Sequence, residues 1–246
     1  MATDIAPELY AKIQADFKAG VNNNKGVQTI MRRILKGKAT QADMTDLAER
    51  FGREASKALR GNILLSELPN QTLYWNIAER TIQPLLIEAY NNVNYYAVIQ
   101  QDYADRAVGL SIRVVRGARP EASARQVMEM AVNSVTQEEL RNALTDPTIT
   151  AVRKFYDDFQ MENAKLRDEL GLETTVVRVY DGVGLKGGSE PCEWCISREG
   201  VYSYADAMDN GIFERHPGCG CTIEYHTSKG VDVQTDWTTN AWESRS

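Results

Sequence analysis

Apolar residues recur at helical spacing through most of the first 170 residues of the chain. Leu9, Ile13 and Phe17 lie four residues apart, which places them on one face of a helix. Thr40 followed three residues later by Asp43 is a helix-start pattern, because each side chain can bind the other residue's backbone N–H. We predict further helices over residues 27–35, 40–59, about 72–106, 120–133, 137–144 and 148–169. The pattern therefore predicts that residues 1–170 form a helical domain.

The longest of these predicted helices contains a proline. Asn70 is expected to cap its start, and the helical pattern continues to about Arg106. Pro84 has no backbone N–H to donate and its ring crowds the preceding turn, so we expect a kink or a break there. The connection over residues 109–117 could hold a short strand.

The last predicted helix, over 148–169, has two different faces. Asp157, Asp158 and Glu162 lie on its polar side, and we expect them to face solvent rather than to act as a catalytic acid and base. Its apolar side consists of Val152, Phe155, Phe159 and Leu166.

The character of the sequence changes at Gly171. Ten of the 17 glycines, all four cysteines and both histidines lie after residue 170. Residues 174–180 are β-branched and aromatic, which predicts a strand. A short helix over 203–210 and a second strand over 222–225 are expected to follow. The sequence thus predicts a mainly α protein: a helical domain over 1–170, a small α+β module over 171–228 and a C-terminal tail over 229–246.

Composition and charge narrow the class of protein. The chain of 246 residues is 43% hydrophobic and 25% charged, as is usual for a soluble globular protein of one or two domains. Its net charge of −6 argues against a general nucleic-acid coat protein, which is usually basic. We expect no membrane partner and no signal peptide, because no apolar run approaches the roughly 20 residues of a membrane span and the first residues lack a basic and an apolar region.

The cysteines and histidines form one group in the sequence. All six lie between residues 192 and 226, after 191 residues that contain neither. Two cysteines separated by two residues form a knuckle in which both sulfurs can point at one ion. Proline and glycine between the later members allow the sharp turns that such a loop requires. The candidate metal ligands are Cys192, Cys195, His216, Cys219 and Cys221.

Five candidates compete for the four positions around a tetrahedral ion. The two cysteines of the knuckle provide one pair of ligands. Cys219 and Cys221 could complete a four-sulfur site, or His216 could replace one of them. His226 lies outside the compact group. We predict a structural zinc ion, which would supply folding energy to a glycine-rich module that has little apolar core.

Two other interpretations of this group stay open. Disulfides would need an oxidising compartment, such as a particle outside the cell, and no export route is indicated. A catalytic thiol or a catalytic zinc would need a suitable base, and neither a His-Glu-x-x-His nor a His-x-Glu motif occurs. Two histidines also leave few candidates for a general base.

The order of residues around this group resembles that of a known family. Cys192-x-x-Cys195 is followed by Arg-Glu-Gly-Val-Tyr-Ser at 198–203 and by His-Pro-Gly-Cys-Gly-Cys-Thr at 216–222. This succession resembles the C-terminal signature of the minor head proteins of tailed bacteriophages, namely the phage Mu F-like head morphogenesis family and the related minor capsid proteins of actinobacterial phages. In that family a helical N-terminal region precedes the signature, as it is predicted to do here.

The resemblance implies a non-enzymatic structural protein that is present in few copies in the virion. Such proteins associate with the portal vertex and act in head assembly, DNA packaging or the fate of the exiting genome. The implied partners are the phage portal protein and/or the major capsid protein. The implied location is the capsid interior or the portal vertex, with the host cytoplasm as the location during assembly.

Two basic stretches are candidates for contact with packaged DNA. Contacts to phosphate would be salt-sensitive and independent of sequence. A solvated protein surface is the alternative interpretation of both stretches. The first consists of Lys25, Arg32, Arg33, Lys36 and Lys38, and the second of Arg113, Arg116 and Arg119.

Two other functional classes are consistent with the sequence. One is an enzyme encoded beside the portal gene, such as a phage head-maturation protease, for which Ser203 and His226 are the residues to test. The other is a cellular zinc-binding adaptor unrelated to phage. A portal gene immediately upstream would favour the phage assignment over the adaptor.

Overall fold

Helices dominate the computed structural model, which describes residues 4–180 and 192–228. Seven α-helices precede a three-stranded sheet and two further short helices in this part of the chain. The predicted fold class, mainly α with a small α+β part near the C-terminal end, is confirmed. The predicted tail over 229–246 lies outside the described residues. The helices are α1 (Ala6–Asn23), α2 (Lys25–Leu35), α3 (Gln41–Asn62), α4 (Trp75–Ala107), α5 (Glu121–Val132), α6 (Gln137–Ala143), α7 (Asp146–Glu169), α8 (Glu193–Ile196) and α9 (Tyr204–Asp209), and the strands are β1 (Thr174–Val179), β2 (Gly200–Ser203) and β3 (Thr222–Thr227).

Polar side chains fix where two of the helices begin. At α3, Thr40 Oγ1 accepts a hydrogen bond from the Asp43 backbone N–H at 3.1 Å, and Asp43 Oδ2 accepts one from the Thr40 N–H at 2.8 Å. The predicted capping box is therefore confirmed. Thr136 and Glu139 form a second capping box at the start of α6. A cap of this kind stabilises a helix by about 1 kcal/mol, because it satisfies backbone donors that have no partner within the helix.

α3 lies at the centre of the helical part, where it packs against α1, α4 and α7. Phe51 of α3 contacts Phe17 of α1 with ring centroids 6.5 Å apart. Tyr90 of α4 meets Phe155 of α7 edge to face at 5.6 Å. These rings belong to one continuous apolar core that spans residues 13–159. The apolar stripe of α3 is buried in this core and consists of Met44, Leu47, Phe51, Ala55 and Leu59.

α4 differs from its prediction at its start and at Pro84. Asn70 has a left-handed backbone with φ 52° inside a short 3-10 turn, so it does not cap the helix, which begins at Trp75. Of the kink or break expected at Pro84, the break does not occur, because α4 is one α-helix through this position. Ile82 and Leu85 on either side are fully buried. Their packing outweighs the hydrogen bond that proline cannot donate.

The connection between α4 and α5 has no strand, contrary to the expectation for residues 109–117. Side chains of α4 and α7 bind its backbone instead. The Val115 N–H donates to Asn163 Oδ1 at 2.9 Å, and Asn163 Nδ2 donates to the Val115 carbonyl at 2.6 Å. Both backbone polar groups of Gly117 bind side chains of α4 in the same way. These polar side chains replace the neighbouring strand that the segment lacks.

Gly117 allows this connection to lie directly against α7. A Cβ atom at Gly117 would lie 2.6 Å from the backbone nitrogen of Phe159, which cannot move aside as a flexible side chain can. We therefore expect Gly117→Ala to lower the free energy of unfolding by about 1–3 kcal/mol, the usual cost of overpacking. Urea denaturation followed by circular dichroism measures this change.

Gly61→Ala is the matched control for that substitution. Gly61 lies in the last turn of α3, and a Cβ atom there would meet nothing within 4 Å. Since alanine is the better helix former, the denaturation midpoint should stay the same or rise slightly. A similar loss of stability in both variants would contradict the steric explanation.

The sheet is antiparallel with the strand order β2-β1-β3. β1 and β3 match the two predicted strands and α9 matches the predicted short helix, whereas β2 was not predicted because it is only four residues long and begins with glycine. Val176 of β1 packs with Ile223 and Tyr225 of β3 against Ala164 of α7. The sheet therefore lies against the C-terminal half of α7.

Two glutamine side chains cover the outer edge of β3. The Tyr225 N–H donates to Gln41 Oε1 at 3.0 Å, and Gln41 Nε2 donates to the Tyr225 carbonyl at 2.8 Å. Gln160 of α7 donates from Nε2 to the Ile223 carbonyl at 2.8 Å. An edge strand needs such partners because its backbone groups are otherwise unpaired. The two amides thus fix the sheet against α3 and α7.

Candidate metal centre

Sheet pairing brings the two halves of the cysteine and histidine group together. Two of the five candidate ligands follow β1, and the other three lie in the loop between α9 and β3. Val179 at the end of β1 pairs with Thr222 at the start of β3. Because the strands are antiparallel, the end of β1 and the loop before β3 lie at the same end of the sheet.

The donor atoms form two overlapping groups of three. Cys192, Cys195 and His216 are one group, Cys195, Cys219 and Cys221 are the other, and within each group the ligand atoms lie within 4.8 Å of one another. His216 Nε2 lies 3.3 Å from Cys192 Sγ and 3.1 Å from Cys195 Sγ. Cys195 Sγ lies 3.8 Å from Cys219 Sγ. All five predicted ligands are thus brought together, with Cys195 common to both groups.

These distances and donor types fit a zinc ion. Two sulfurs bound at about 2.3 Å to a tetrahedral ion are about 3.8 Å apart, which is the distance of 3.8 Å between Cys195 and Cys219. A sulfur and a nitrogen on the same ion are about 3.6 Å apart, so His216 is within about 0.5 Å of the required separations. Thiolate and imidazole are also the donors that zinc prefers. The choice of four ligands among the five remains a prediction.

His216 is oriented for metal binding through Nε2. Its Nδ1 lies 2.9 Å from the Pro217 carbonyl oxygen, which can only accept a hydrogen bond. Nδ1 is therefore the protonated nitrogen, and the lone pair of Nε2 faces the sulfurs of Cys192 and Cys195. Histidines that bind metals are commonly held by a hydrogen bond of this kind.

The four cysteines are free thiols in a mostly buried site. Cys195, Cys219 and Cys221 are at most 1% exposed, and Cys192 is half-buried. Burial, reinforced by the neighbouring Cys219, raises the pKa of Cys195 to about 11. A buried thiol of this kind keeps its proton at neutral pH unless a cation replaces it, so metal binding would release that proton.

Cys219 differs from the other cysteines because two arginines face its sulfur. Arg178 Nη2 and Arg215 Nη1 each lie 3.6 Å from Cys219 Sγ. A hydrogen bond from the Cys221 thiol, together with these guanidinium groups, lowers the pKa of Cys219 far below its ordinary value in spite of its burial. The same hydrogen bond raises the pKa of Cys221. The surroundings of Cys219 therefore favour its thiolate form.

Arginine side chains also enclose Trp194, which lies inside the knuckle. The guanidinium carbons of Arg198 and Arg178 lie 4.0 Å and 4.9 Å from the centre of its ring. Arg178 is fully buried and donates hydrogen bonds to the carbonyls of Ile212 at 2.5 Å and Glu214 at 2.8 Å. Neither Trp194 nor Arg178 was predicted to be part of the site. Arg178 could have been noticed in the sequence, because it is the one charged residue in a strand of β-branched residues.

The expectation of a solvated face on α7 is wrong. Asp157 and Asp158 are only 1% and 6% exposed. Asp157 accepts hydrogen bonds from Nε and Nη2 of Arg215 in a fully buried ion pair, while Asp158 pairs with Lys154 of the same helix. α7 is buried on two sides because it packs against the helical core and also against the sheet and the loop that holds His216, Cys219 and Cys221. Asp157 is therefore a partner of the loop, and neither aspartate faces solvent.

Arg153, one turn before Asp157, binds the same loop. Its Nη2 donates to the carbonyls of Gly220 at 3.1 Å and Cys221 at 2.7 Å. Its Nη1 donates to the carboxylate of Glu49 on α3 at 3.0 Å. Burial, reinforced by the charge of Arg215, lowers the pKa of Arg153 to about 10, so it remains a cation at neutral pH. α7 thus supplies both an anion and a cation to the turn that holds the last two cysteines.

Comparison with known proteins gives no match: no protein-family model, no curated protein and no solved structure matches the chain. Among the helices of residues 4–180 and 192–228, none combines the length and the apolar character of a membrane-spanning segment. The functional assignment therefore depends on the residues themselves and on their geometry.

The two basic stretches lie on the surface. The residues of the first stretch are exposed on α2 and in the turn that follows it, and those of the second are exposed in the connection before α5. Arg33 pairs with Asp43 of α3 at 2.8 Å. Tyr103, which is 42% exposed, donates a hydrogen bond to the Leu35 carbonyl beside the first stretch. Contact of these surfaces with DNA remains a prediction.

Ser203 and His226 do not form a catalytic pair. Ser203 on β2 and His226 on β3 both lie opposite Thr175 of the central strand β1. Their backbones are therefore about 10 Å apart, which is two strand spacings. Ser203 Oγ also accepts a hydrogen bond from the Asp206 N–H as the cap of α9. A nucleophile requires a base within hydrogen-bonding distance, and His226 is too far from Ser203 to act as that base.

Proposed function

We propose that this protein is a structural, non-enzymatic minor head protein of a tailed bacteriophage, and that one zinc ion stabilises its C-terminal module. The observation that supports the proposal most directly is the convergence of the five candidate ligands. The residues that make the sequence resemble the phage family are also those that approach one another in the fold. Cysteines that were spaced by chance in the sequence would not be expected to approach one another in the fold.

A structural role for the zinc is supported by the closed character of the site. Five protein donors compete for four positions, and three of them are almost fully buried. Catalytic zinc sites, in contrast, keep one position for water or substrate. The apolar cluster around the site is also small, since it consists of the four cysteines, Tyr180 and Trp194. Metal binding would supply the folding energy that such a cluster lacks.

The proposed partners of the helical part are the portal protein and/or the major capsid protein, in the capsid interior or at the portal vertex. Support comes from large aromatic side chains that remain exposed at the start of α4 and along it. Tyr74, Trp75 and Tyr95 are 42%, 38% and 54% exposed. Aromatic residues are enriched at the centres of protein interfaces, which makes this helix the expected contact surface.

Packaged DNA is the second proposed partner, bound without sequence preference by the two basic stretches. The double variant Lys36→Glu/Lys38→Glu should weaken binding to duplex DNA. The slope of the logarithm of the binding constant against the logarithm of the salt concentration should fall by the amount expected for the loss of about two phosphate contacts. Fluorescence anisotropy at several salt concentrations measures both effects. Lys12→Glu, at an exposed position of α1, is the control. Equal salt dependence for the native protein and the double variant would contradict the DNA contact.

Purified virions test the proposed function as a whole. Quantitative mass spectrometry of particles should find this protein in a small number of copies relative to the major capsid protein. The isolated protein should contain about one equivalent of zinc. A zinc-loaded protein that is absent from particles would favour a cellular adaptor and contradict the phage assignment. A protein without zinc, with Cys192 and Cys195 freely reactive, would contradict the metal centre.

A further inference from the structure

The loop that holds His216, Cys219 and Cys221 depends on α7 for its charge balance. Arg215 lies in this loop with a side chain that is completely buried. A buried cation is costly unless a fixed anion pairs with it, and Asp157 of α7 is that anion. The loop can therefore reach its observed position only when it is docked on the helical part.

We infer that Asp157 and Arg153 of α7 are positioning residues for the metal centre, so that zinc binding and docking of the C-terminal module on α7 strengthen each other. The inference depends on the zinc site of the proposed function. It adds that residues outside the cysteine and histidine group, 35 or more positions earlier in the chain than Cys192, determine the metal affinity.

Asp157 acts through Arg215. Two nitrogens of the Arg215 guanidinium bind the Asp157 carboxylate, which leaves Nη1 to face the loop. This Nη1 lies 2.7 Å from the Cys221 carbonyl and 3.6 Å from Cys219 Sγ. The carboxylate therefore sets the position of a positive charge beside one of the candidate thiolate ligands. Hydrogen bonds to ligating atoms orient them and tune the affinity of a metal site.

Arg153 acts on the backbone of the same turn. One of its nitrogens binds the carbonyls of Gly220 and Cys221, while another is fixed by Glu49 of α3. Holding these carbonyls fixes the two peptide groups that flank Cys221. A ligand loop that is held in this conformation before metal binding loses less conformational entropy when the ion arrives.

Thermodynamic linkage makes the effect reciprocal. If docking on α7 raises the affinity for zinc by some factor, zinc must raise the equilibrium constant for docking by the same factor. Docking can be followed at two backbone N–H groups of the module, because their hydrogen-bond acceptors belong to the helical part. The Gly218 N–H donates to Thr150 Oγ1 at 3.2 Å, and the Tyr225 N–H donates to Gln41 Oε1 at 3.0 Å.

The test compares two neighbouring aspartates in the full chain. Zinc affinity is measured by competition with a chromophoric chelator in the native protein, in Asp157→Asn and in Asp158→Asn. Asp158 is also buried, but it pairs with Lys154 and not with the loop. We expect Asp157→Asn to weaken zinc binding by about 10–100-fold, the usual effect of changing a residue that orients a ligand. Asp158→Asn should leave the affinity within about twofold of the native value.

Hydrogen exchange in the native chain provides a second measurement. Removal of zinc should increase exchange at the amides of Gly218 and Tyr225, while Gly117, whose N–H binds Asn94 within the helical part, should stay protected. If Asp157→Asn does not fold, Arg153→Lys gives the same comparison, because lysine keeps the charge but cannot bind two carbonyls and Glu49 at once.

The possible results separate the inference from the function on which it rests. Equal zinc affinities for native protein, Asp157→Asn and Arg153→Lys would overturn the inference and leave the zinc site intact. Unchanged exchange at Gly218 and Tyr225 after zinc removal would also overturn it. A native protein that binds no zinc at all would overturn both the inference and the proposed metal centre.

Discussion

Replacing Cys195 with serine should abolish zinc binding and unfold the C-terminal module. Cys195 is the one residue that belongs to both groups of donor atoms, and each of the ligand sets predicted from the sequence includes it as a member of the knuckle. Cys195 is 1% exposed, and its sulfur lies beside both His216 and Cys219. Structural zinc contributes about 10 kcal/mol or more to the folding of small zinc-binding units, which exceeds the stability expected of a module with so small an apolar cluster.

The helical part should survive the same substitution. Its core spans residues 13–159 and is separate from the cluster around the cysteines. Cys195→Ser should therefore retain most of the far-ultraviolet helical signal, while the amides of β1 and β3 lose their protection from hydrogen exchange. Zinc content by plasma mass spectrometry provides the direct measurement.

Ile196→Ser is the control for Cys195→Ser. Ile196 is the next residue of α8, is 45% exposed and offers no strong metal ligand. The Ile196→Ser variant should bind zinc as the native protein does. The single variants Cys192→Ser, Cys219→Ser and Cys221→Ser would then identify the candidate that is not a ligand. Full zinc occupancy in Cys195→Ser would show that the metal centre is not formed as we propose.

Local patterns explain why most of the helical part could be predicted. The spacing of Leu47, Phe51 and Ala55 specifies a buried face without knowledge of what covers it, and the capping box at Thr40 needs only the next three residues. The continuation of α4 through Pro84 has a different origin. The penalty of proline is a local property, but the packing that outweighs it comes from distant parts of the chain.

The candidate metal ligands could be selected from the sequence for the same reason, whereas their surroundings could not. The spacing of cysteines two residues apart already indicates a shared ion. The ion pair between Asp157 and Arg215 joins positions 58 residues apart, and no periodicity indicates it. A charged residue on the polar side of a helix is usually solvated, so the burial of Asp157 became apparent only once the sheet and loop were placed against α7.

Replacing Arg167 with methionine should destabilise the protein by about 3–5 kcal/mol, the usual effect of breaking a buried ion pair. Arg167 Nη2 lies 2.5 Å from Asp105 Oδ2, and the two side chains are 1% and 7% exposed. The guanidinium also donates to the Asn163 carbonyl and lies 5.5 Å from the ring centre of Tyr225. One side chain thus joins α4, α7 and β3. Methionine keeps the approximate length of the side chain but leaves Asp105 as a buried anion without its partner.

The double variant Asp105→Asn/Arg167→Met separates the cost of the orphaned charge from the loss of packing. A buried ion pair costs much of its attraction in desolvation, so removing both charges should restore at least half of the stability that the single variant loses. Arg106→Met, which breaks the exposed pair with Asp102 on the same helix, should cost less than about 1 kcal/mol. Urea denaturation of the three variants gives the comparison. If the single and double variants lose the same stability, the loss comes from packing around Arg167, and the charge of Asp105 does not determine how α4 and α7 are held together.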